Sequence, residues 1–227
     1  TFEPGEVVGL RIVDIEDVRS MAKLDSEAKH LLQMPELVAD VVVGAALQTD
    51  EPTDDVLKRL ANDLHRALLH GGDDADRVRR RARELLDFDC PERLKPRRPF
   101  HWAIEFPEVF SRNRSGFDAV VGNPPFLGGK RLTGAFGTRY REYLVQWLAG
   151  GARGSADLVA YFFLRAYVVL CERGTFGLLA VNTIAEGDTR QVGIETMVRG
   201  EAVIYAANPN EPWPGSAAVT TSRVHVV

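Results

Sequence analysis

The tetrapeptide Asn123-Pro124-Pro125-Phe126 combines residue types suited to holding a planar ligand that carries an amino group. The two prolines fix φ and have no amide hydrogen, so the backbone carbonyls beside them keep a set direction. An asparagine side-chain oxygen precedes the prolines and an aromatic ring follows them. Together they predict a slot with hydrogen-bond acceptors at its rim and a flat apolar wall. A nucleobase or an amide would complement such a slot.

The elements around the tetrapeptide predict where it lies in a fold. An apolar strand, Phe117–Val121, ends directly before it, and in open α/β sheets ligands bind beyond the carboxyl ends of strands. Strands and helices alternate through the rest of this part, which predicts a mostly parallel sheet with helices packed on it. One helix is expected from Ala156 to about Glu172, capped by Ser155, and another from Thr189 to Arg199. Strands are expected over Phe176–Val181, Ala202–Ala206 and Ala217–Val227.

The first 96 residues have a different composition, with many helix-forming residues and few aromatic residues. Apolar periodicity predicts helices over Asp25–Gln48 and Asp73–Leu86, and Pro35 is expected to divide the first of them in two. Another helix between them, capped by Thr53, should end at Gly71. A short strand is expected over Glu6–Ile15. We therefore expect a mainly helical region over 1–96 and an α/β region over 97–227.

Composition excludes several classes of protein. The chain has 227 residues, 45% of them hydrophobic, which is too apolar for a disordered chain. The longest apolar run, Leu158–Leu170, is short and contains Arg165, so no membrane span is expected. The two cysteines lack metal or disulfide spacing, which favours a reducing cytoplasm. The net charge is −4, with the acidic excess in the first hundred residues. No initiator Met is present, and a fragment of a longer chain is expected.

The motif resembles that of a known family. Gly122 to Phe126 after an apolar strand is similar to the (N/D)PP(Y/F) motif of S-adenosylmethionine-dependent amino-methyltransferases. The segments around it resemble N6-adenine DNA methyltransferases, particularly the large restriction–modification and phage-defence enzymes. The resemblance covers 97–227 and rests on the lead-in Arg98–Phe110, the helix Ala156–Tyr167, the strand Gly174–Thr183 and the aromatic-Pro element Glu211–Gly215. It implies a partial Rossmann-like methyltransferase sheet preceded by a helical insertion domain.

The resemblance also implies a reaction and roles for residues. Adenine, flipped out of double-stranded DNA, would donate its N6 hydrogens to the Asn123 side chain and the Pro124 carbonyl, and N6 would then attack the sulfonium methyl group. Pro125 would keep the turn rigid, and Phe126 would stack on the base. Asn182 and Trp213 are expected to line the base pocket, and Lys130 and Arg131 to face the DNA backbone. The family's Gly-rich cofactor loop does not occur in these residues, so the cofactor site is expected in another part of a full-length enzyme.

Several residues keep a second interpretation. The tetrapeptide alone is also compatible with a rigid turn, Trp213 with a packing aromatic, and Lys130 and Arg131 with a solvated face. Asn182 is as compatible with satisfying backbone groups as with lining a pocket. For Asp157, support of a helix N-terminus is the favoured interpretation. Two other functions stay open: an amino-methyltransferase acting on a protein glutamine or an RNA guanine, and a non-catalytic module that binds DNA or a partner.

Overall fold

The computed structural model describes residues 14–48, 54–94, 96–213 and 220–227. Three helices occupy the first part: α1 over Ile15–Gln48, α2 over Asp54–His70 and α3 over Gly72–Leu86. The predicted end of a helix before Gly71 and the predicted helix up to Leu86 are confirmed. The predicted strand Glu6–Ile15 falls almost entirely outside the described residues, and Ile15 itself begins α1. The Thr53 cap also lies outside them.

The prediction that Pro35 divides the first helix is wrong, because α1 continues through it. Proline at this position removes the bond that an amide would donate to the carbonyl four residues earlier, at Leu31. Leu31 lies on the solvent side of the helix, with a side chain that is 76% exposed. Water can therefore satisfy the freed carbonyl, and the helix need not end there.

The three helices pack through small apolar side chains. The helical core consists of Leu37, Val41, Ala67, Ala75, Val78 and Ala82. Gly44 lets α1 and α3 approach closely, since a Cβ at this position would stand 2.6 Å from the Cβ of Leu85. By length and composition α1 would also be able to span a membrane, a property shared by core helices. The expectation that no helix spans a membrane stays a prediction.

An aromatic segment leads from the helices to the sheet. It contains two short helices, α4 over Trp102–Glu105 and α5 over Pro107–Phe110. Its rings meet at centroid distances between 4.9 Å, for Phe100 and Trp102, and 6.2 Å, for Phe100 and Phe106. Phe110 then packs edge-on against Phe117, the first residue of the sheet, at 5.5 Å. This cluster fixes where the chain enters the strand before the tetrapeptide.

The four described strands form one sheet in the order β1-β2-β4-β3. They are β1 over Phe117–Gly122, β2 over Leu170–Val181, β3 over Ile204–Pro212 and β4 over Thr220–Val226. The mixed α/β class is confirmed, and the predicted mostly parallel sheet is confirmed in part, because one of the four described strands runs antiparallel to its neighbours. Among the described strands, β1 pairs with β2 in parallel, whereas β4 lies between β2 and β3 and pairs antiparallel with both. β1, β2 and β3 therefore run in one direction and β4 in the opposite one. Apolar runs reveal a buried strand and not its direction, which the connections decide.

Helices follow β1 and β2 along the chain. Between those strands lie α6 over Gly129–Phe136, α7 over Thr138–Tyr143, a π-helical turn over Leu144–Leu148 and α8 over Leu158–Val168. After β2 come a 3₁₀ turn over Asn182–Ala185, α9 over Gly187–Arg190, a π-helical turn over Gln191–Glu195 and α10 over Thr196–Arg199. The main core joins α8 to the sheet through Phe163 and Phe176, whose ring centroids are 5.5 Å apart.

Two predicted boundaries need correction. The helix expected from Ala156 to Glu172 spans only Leu158–Val168, because β2 already begins at Leu170. Ser155 is not its cap. The Asp157 carboxylate accepts the amide hydrogen of Val159 at 3.0 Å and caps the helix. A carboxylate at the N-terminus binds free amide groups and also interacts favourably with the helix dipole.

Candidate functional site

The tetrapeptide leaves the sheet at the carboxyl end of β1, as predicted. Gly122, the last residue of β1, pairs in parallel register with Leu178 of β2. β2 continues three residues farther, to Val181, and Asn182 follows. Because parallel strands end at the same edge, Asn123 and Asn182 both follow strand ends at one edge of the sheet. This edge is the place where a ligand of an open α/β sheet binds.

The tetrapeptide consists of one buried residue and three exposed ones. Pro124 is buried, whereas Asn123 and Pro125 are exposed. The Phe126 side chain is 36% exposed, which leaves part of its ring open to a ligand. The turn is therefore fixed by its first proline and presents an amide and a ring to solvent. These are the groups that the sequence pattern singled out.

Asp157 holds the segment that follows the tetrapeptide. Its Oδ1 accepts two amide hydrogens, from Leu127 at 3.1 Å and from Val159 at 3.0 Å. The amide of Leu158 donates to the Leu127 carbonyl at 2.9 Å. Both backbone groups of Leu127 are therefore bound at the start of α8. Hydrogen bonds to a carboxylate are stronger than those between neutral groups. With only 7% of Asp157 exposed, water competes little for them.

A third loop completes this anchor. The amide of Asp157 donates to Oγ1 of Thr189 at 3.1 Å, and the amide of Ser155 donates to Oδ2 of Asp188 at 2.6 Å. The start of α9 therefore holds the segment before α8, which in turn holds the tetrapeptide loop. We call these three joined loops, residues 123–129, 154–158 and 187–189, the loop anchor.

Glycine makes the close approach within the loop anchor possible. A Cβ at Gly129 would lie 2.2 Å from the carbonyl carbon of Ser155 and 2.5 Å from the oxygen of Ala156. Both are backbone atoms, so the contact could not be relieved by moving a side chain. Gly129 is thus explained by packing against the loop before α8.

The predicted pocket residue Asn182 has its side chain bound within the sheet. Ser222 donates its hydroxyl hydrogen to Oδ1 of Asn182 at 2.9 Å, and Nδ2 of Asn182 donates to Oδ1 of Asn210 at 2.6 Å. Asn182 thus ties the end of β2 to β3 and β4. A substrate contact of Asn182 stays a prediction.

The remaining predicted site residues lie at the margins of this edge. Lys130 and Arg131 are exposed in the first turn of α6, and neither side chain has an ion-pair partner in the part of the chain that the structure describes. Trp213 is half-buried and directly follows β3, and the next residues, 214–219, lie outside that part. Their contacts with substrate stay predictions.

Sequence reasoning missed the positioning residues of the loop anchor. It favoured a helix N-terminal role for Asp157, which is confirmed, but it did not predict the bond to Leu127. Thr189 and Asp188 lie more than thirty residues farther along the chain, and nothing in the sequence pairs them with this loop. Their only local signal is that polar residues precede or begin a helix.

Comparison with known proteins identifies the family. The model of the Eco57I restriction-modification methylase family matches residues 58–197, which is more than half of the chain and includes the tetrapeptide and the loop anchor. The chain belongs to the Eco57I restriction-modification methylase family. The match begins in α2 and ends in α10, so it includes helices from the first part together with β1 and β2.

Solved structures provide a more distant likeness. The Type IIL restriction-modification enzyme MmeI, solved in complex with DNA, is similar over 48% of this chain, with 20% identity and a TM-score of 0.40. This chain covers 15% of the MmeI chain. No curated protein matches the sequence.

Proposed function

We propose that this chain forms the acceptor side of a DNA methyltransferase that methylates adenine at N6 within a larger restriction–modification or phage-defence enzyme. One observation carries the proposal: the Asn-Pro-Pro-Phe turn stands at the carboxyl end of β1, anchored by Pro124 and Asp157, with Asn123 and Phe126 accessible. Membership of a methylase family supports the reaction class.

The proposed chemistry starts from the electron distribution of an aromatic amine. The lone pair of adenine N6 is delocalised into the ring and is a poor nucleophile. Two acceptors, the Asn123 side-chain oxygen and the Pro124 carbonyl, would accept hydrogen bonds from the two hydrogens on N6. These bonds would favour a tetrahedral nitrogen with a localised lone pair. Such acceptors help only if they are already in position, and the loop anchor provides this.

The base must leave the duplex to reach this turn. Flipping costs stacking and pairing energy of a few kcal/mol, part of which a new stacking partner returns. The exposed part of the Phe126 ring would serve as that partner, at about 1–3 kcal/mol. Lys130 and Arg131, exposed and without ion-pair partners in the described part of the chain, would bind phosphates beside the flipped nucleotide.

S-Adenosylmethionine is the proposed methyl donor, but the described residues do not form its site by themselves. A ribose needs a free carboxylate at this edge, and those of Asp157 and Asp188 are already bound to backbone amides. The sequence also has no acidic, Gly-rich turn to hold the rest of the donor. We therefore assign only acceptor positioning to this chain. Both cysteines are free, which fits the proposed cytoplasmic location.

The proposal is tested with Asn123→Ala in the full-length polypeptide. Duplex DNA is incubated with isotopically labelled S-adenosylmethionine, and N6-methyladenine is measured by mass spectrometry of the digested DNA. We expect at least about a hundredfold loss of methylation, the usual cost of removing one positioned polar group in an active site. DNA affinity, measured by fluorescence anisotropy, should change little. Asn113→Ala, which removes an exposed asparagine outside the site, is the matched control.

The alternatives give different outcomes in the same assay. Transfer to RNA or protein with none to DNA would favour the amino-methyltransferase that acts on a guanine or a glutamine. DNA binding without any transfer by the full-length wild-type protein would favour the non-catalytic module. Full activity of Asn123→Ala would overturn the role of the turn.

A further inference from the structure

One cavity in the described part of the chain lies away from the proposed site. It has a volume of 860 Å³ and is enclosed by α1 and α3, the aromatic lead-in and the ends of α7 and α8. Leu158, the first residue of α8, contacts the tetrapeptide loop, whereas Arg165 and Val168, in its last turns, line the cavity. A helix of this length extends about 16 Å. The two places are therefore separated by the length of α8.

The walls of the cavity are apolar and aromatic, and its charged side chains have one sign. The wall residues include Val43, Leu47, Phe100, Trp102, Ile104 and Phe110. Among the described residues that line it, the charged ones are Arg97, Arg98 and Arg165, and none is an aspartate or a glutamate. A cavity with this lining attracts anions and at the same time offers a surface to an apolar body.

The three arginines differ in what they already bind. The guanidinium of Arg97 donates to the carbonyls of Leu86 and Phe88, each at 2.7 Å, and is thereby committed to the fold. Arg98 is exposed, and Arg165 is half-buried. Neither has a hydrogen-bond or ion-pair partner within the described ranges. Partial burial of a guanidinium that has no partner costs free energy, because the charge loses part of its hydration. A bound anion would offset this cost through charge-assisted hydrogen bonds.

Two tyrosine hydroxyls add donors in the same region. Tyr140 and Tyr143 both line the cavity, and their hydroxyls bind no other group among the residues that the structure describes. Burial raises the pKa of Tyr140, and Tyr143 raises it further, so the hydroxyl stays protonated and able to donate at neutral pH. The charges of Arg97 and Arg165 lower the same pKa by smaller amounts.

We propose that this cavity is a binding site for a small amphiphilic anion, with the apolar body against the aromatic walls and the anionic head on Arg165, Tyr140 and Tyr143. Carboxylates, sulfonates and phosphates share the chemistry that the head requires. The volume falls within the range of small-molecule sites. Because helices from the first part and α8 both line the cavity, a bound ligand would join the two parts of the chain.

The test uses a pair of probes with the same body. 8-Anilinonaphthalene-1-sulfonate carries one anionic group, and N-phenyl-1-naphthylamine is its neutral counterpart; both become fluorescent in apolar surroundings. We expect the purified chain to bind the sulfonate more tightly. Arg165→Met should weaken sulfonate binding by about tenfold or more, as expected for charge-assisted hydrogen bonds, and leave the neutral probe unaffected. Tyr143→Phe should weaken the sulfonate less.

The matched control is Arg80→Met, which makes the same charge change at an exposed position of α3 outside the cavity. It should leave both affinities unchanged. Arg165→Lys keeps the charge without the planar fork and should give an intermediate affinity. Thermal melting of each variant shows whether it is folded. Equal sulfonate affinity in Arg165→Met and wild type, or an equal loss in Arg80→Met, would overturn the proposal.

Discussion

The sheet region and the helical region of this chain use different side chains for their cores. The sheet region buries large aromatic residues, with Tyr161, Phe163 and Phe176 each at most 2% exposed. The helical region buries mainly alanine, valine and leucine, as in the contact of Val41 with its neighbours. Large rings can fill a core in only a few arrangements. Packing therefore defines side-chain positions more narrowly in the sheet region than in the helical region.

Polar interactions follow the same division. Near the site, the buried carboxylate of Asp157 and the exposed carboxylate of Asp188 bind backbone amides of distant loops, as Asp157 does with Leu127. In the helices, exposed ion pairs join neighbouring turns, such as Lys29 with Asp25 and Arg79 with Asp76. Exposed pairs contribute little to stability. The proposed acceptor site therefore depends on a few long-range hydrogen bonds, whereas the helices use ion pairs between neighbouring turns.

Hydrogen bonds join the regions, and Arg97 and His101 each make some of them. Arg97 binds carbonyls at the end of α3 and also donates to the carbonyl of Phe136 in α6, at 2.6 Å. Nε2 of His101, just before α4, lies 2.8 Å from Oδ1 of Asp40 in α1. The regions are thus connected by side chains near their junction, including Asp89, whose Oδ2 accepts the amide hydrogen of Arg139 at 2.9 Å. These connections make the difference in construction testable.

The largest expected effect concerns the two cores. Phe163→Ala should lower the free energy of unfolding by about 3–5 kcal/mol, because it leaves a ring-sized cavity. Val41→Ala removes fewer buried atoms and should cost about 2 kcal/mol. Urea denaturation followed by circular dichroism measures both. Equal costs would contradict the larger cavity expected in the sheet region.

A smaller effect is expected at the loop anchor. Asp157→Ala removes an acceptor shared by two amides and should cost about 1–3 kcal/mol. The amides of Leu127 and Val159 should exchange with deuterium faster, while exchange in α1 stays unchanged. Asp157→Asn retains an oxygen acceptor and is the matched control, with a smaller loss. Unchanged exchange at Leu127 in the alanine variant would remove Asp157 from the anchor.

The hydrogen bond between Asp40 and His101, which joins the two regions, should contribute less to stability. Asp40→Ala removes the partner of His101 and should cost about 1 kcal/mol, the typical net value of one hydrogen bond. Glu36→Ala, one turn earlier in α1 and without a hydrogen-bond partner in the described structure, serves as the control. Faster exchange in α1 with unchanged exchange in β2 is the expected pattern. Equal acceleration in both would show that the regions unfold as one unit.

The smallest effect is a dependence on pH at the far side of the sheet. Arg223 of β4 binds Glu211 of β3 through both carboxylate oxygens, and these hydrogen bonds lower the pKa of Glu211 from its usual value of 4.5. The folded state thus favours the ionised form. This contribution is present above about pH 4.5 and is lost as the pH falls through the lowered pKa.

Thermal melting of wild type and Glu211→Gln over roughly pH 3 to 6 tests this sign. The difference in melting temperature between the two proteins should shrink toward low pH. A difference that grows as the pH falls would contradict the assigned ion pair.

Some features of the site follow from local sequence. The strand before Asn123 and its end at Gly122 were predicted from an apolar run followed by glycine and proline. The acceptor turn was predicted because two prolines restrict φ at any place where they occur. The cap of α8 was assigned to the wrong residue, Ser155, because several polar side chains near the helix start are equivalent by type. The direction of β4 was also beyond local sequence, since parallel and antiparallel strands have similar composition.

The sequence by itself determined the types of groups available at the turn and the strand that leads to them, because both depend on neighbours along the chain. Only the tertiary structure decided which distant groups hold that turn. Thr189 reaches the amide of Asp157, Gly129 touches the backbone of Ser155, and an unpaired Arg165 meets an aromatic cavity. These contacts join residues separated by long stretches of chain, and such distances are fixed by how helices and strands pack, which no local pattern specifies.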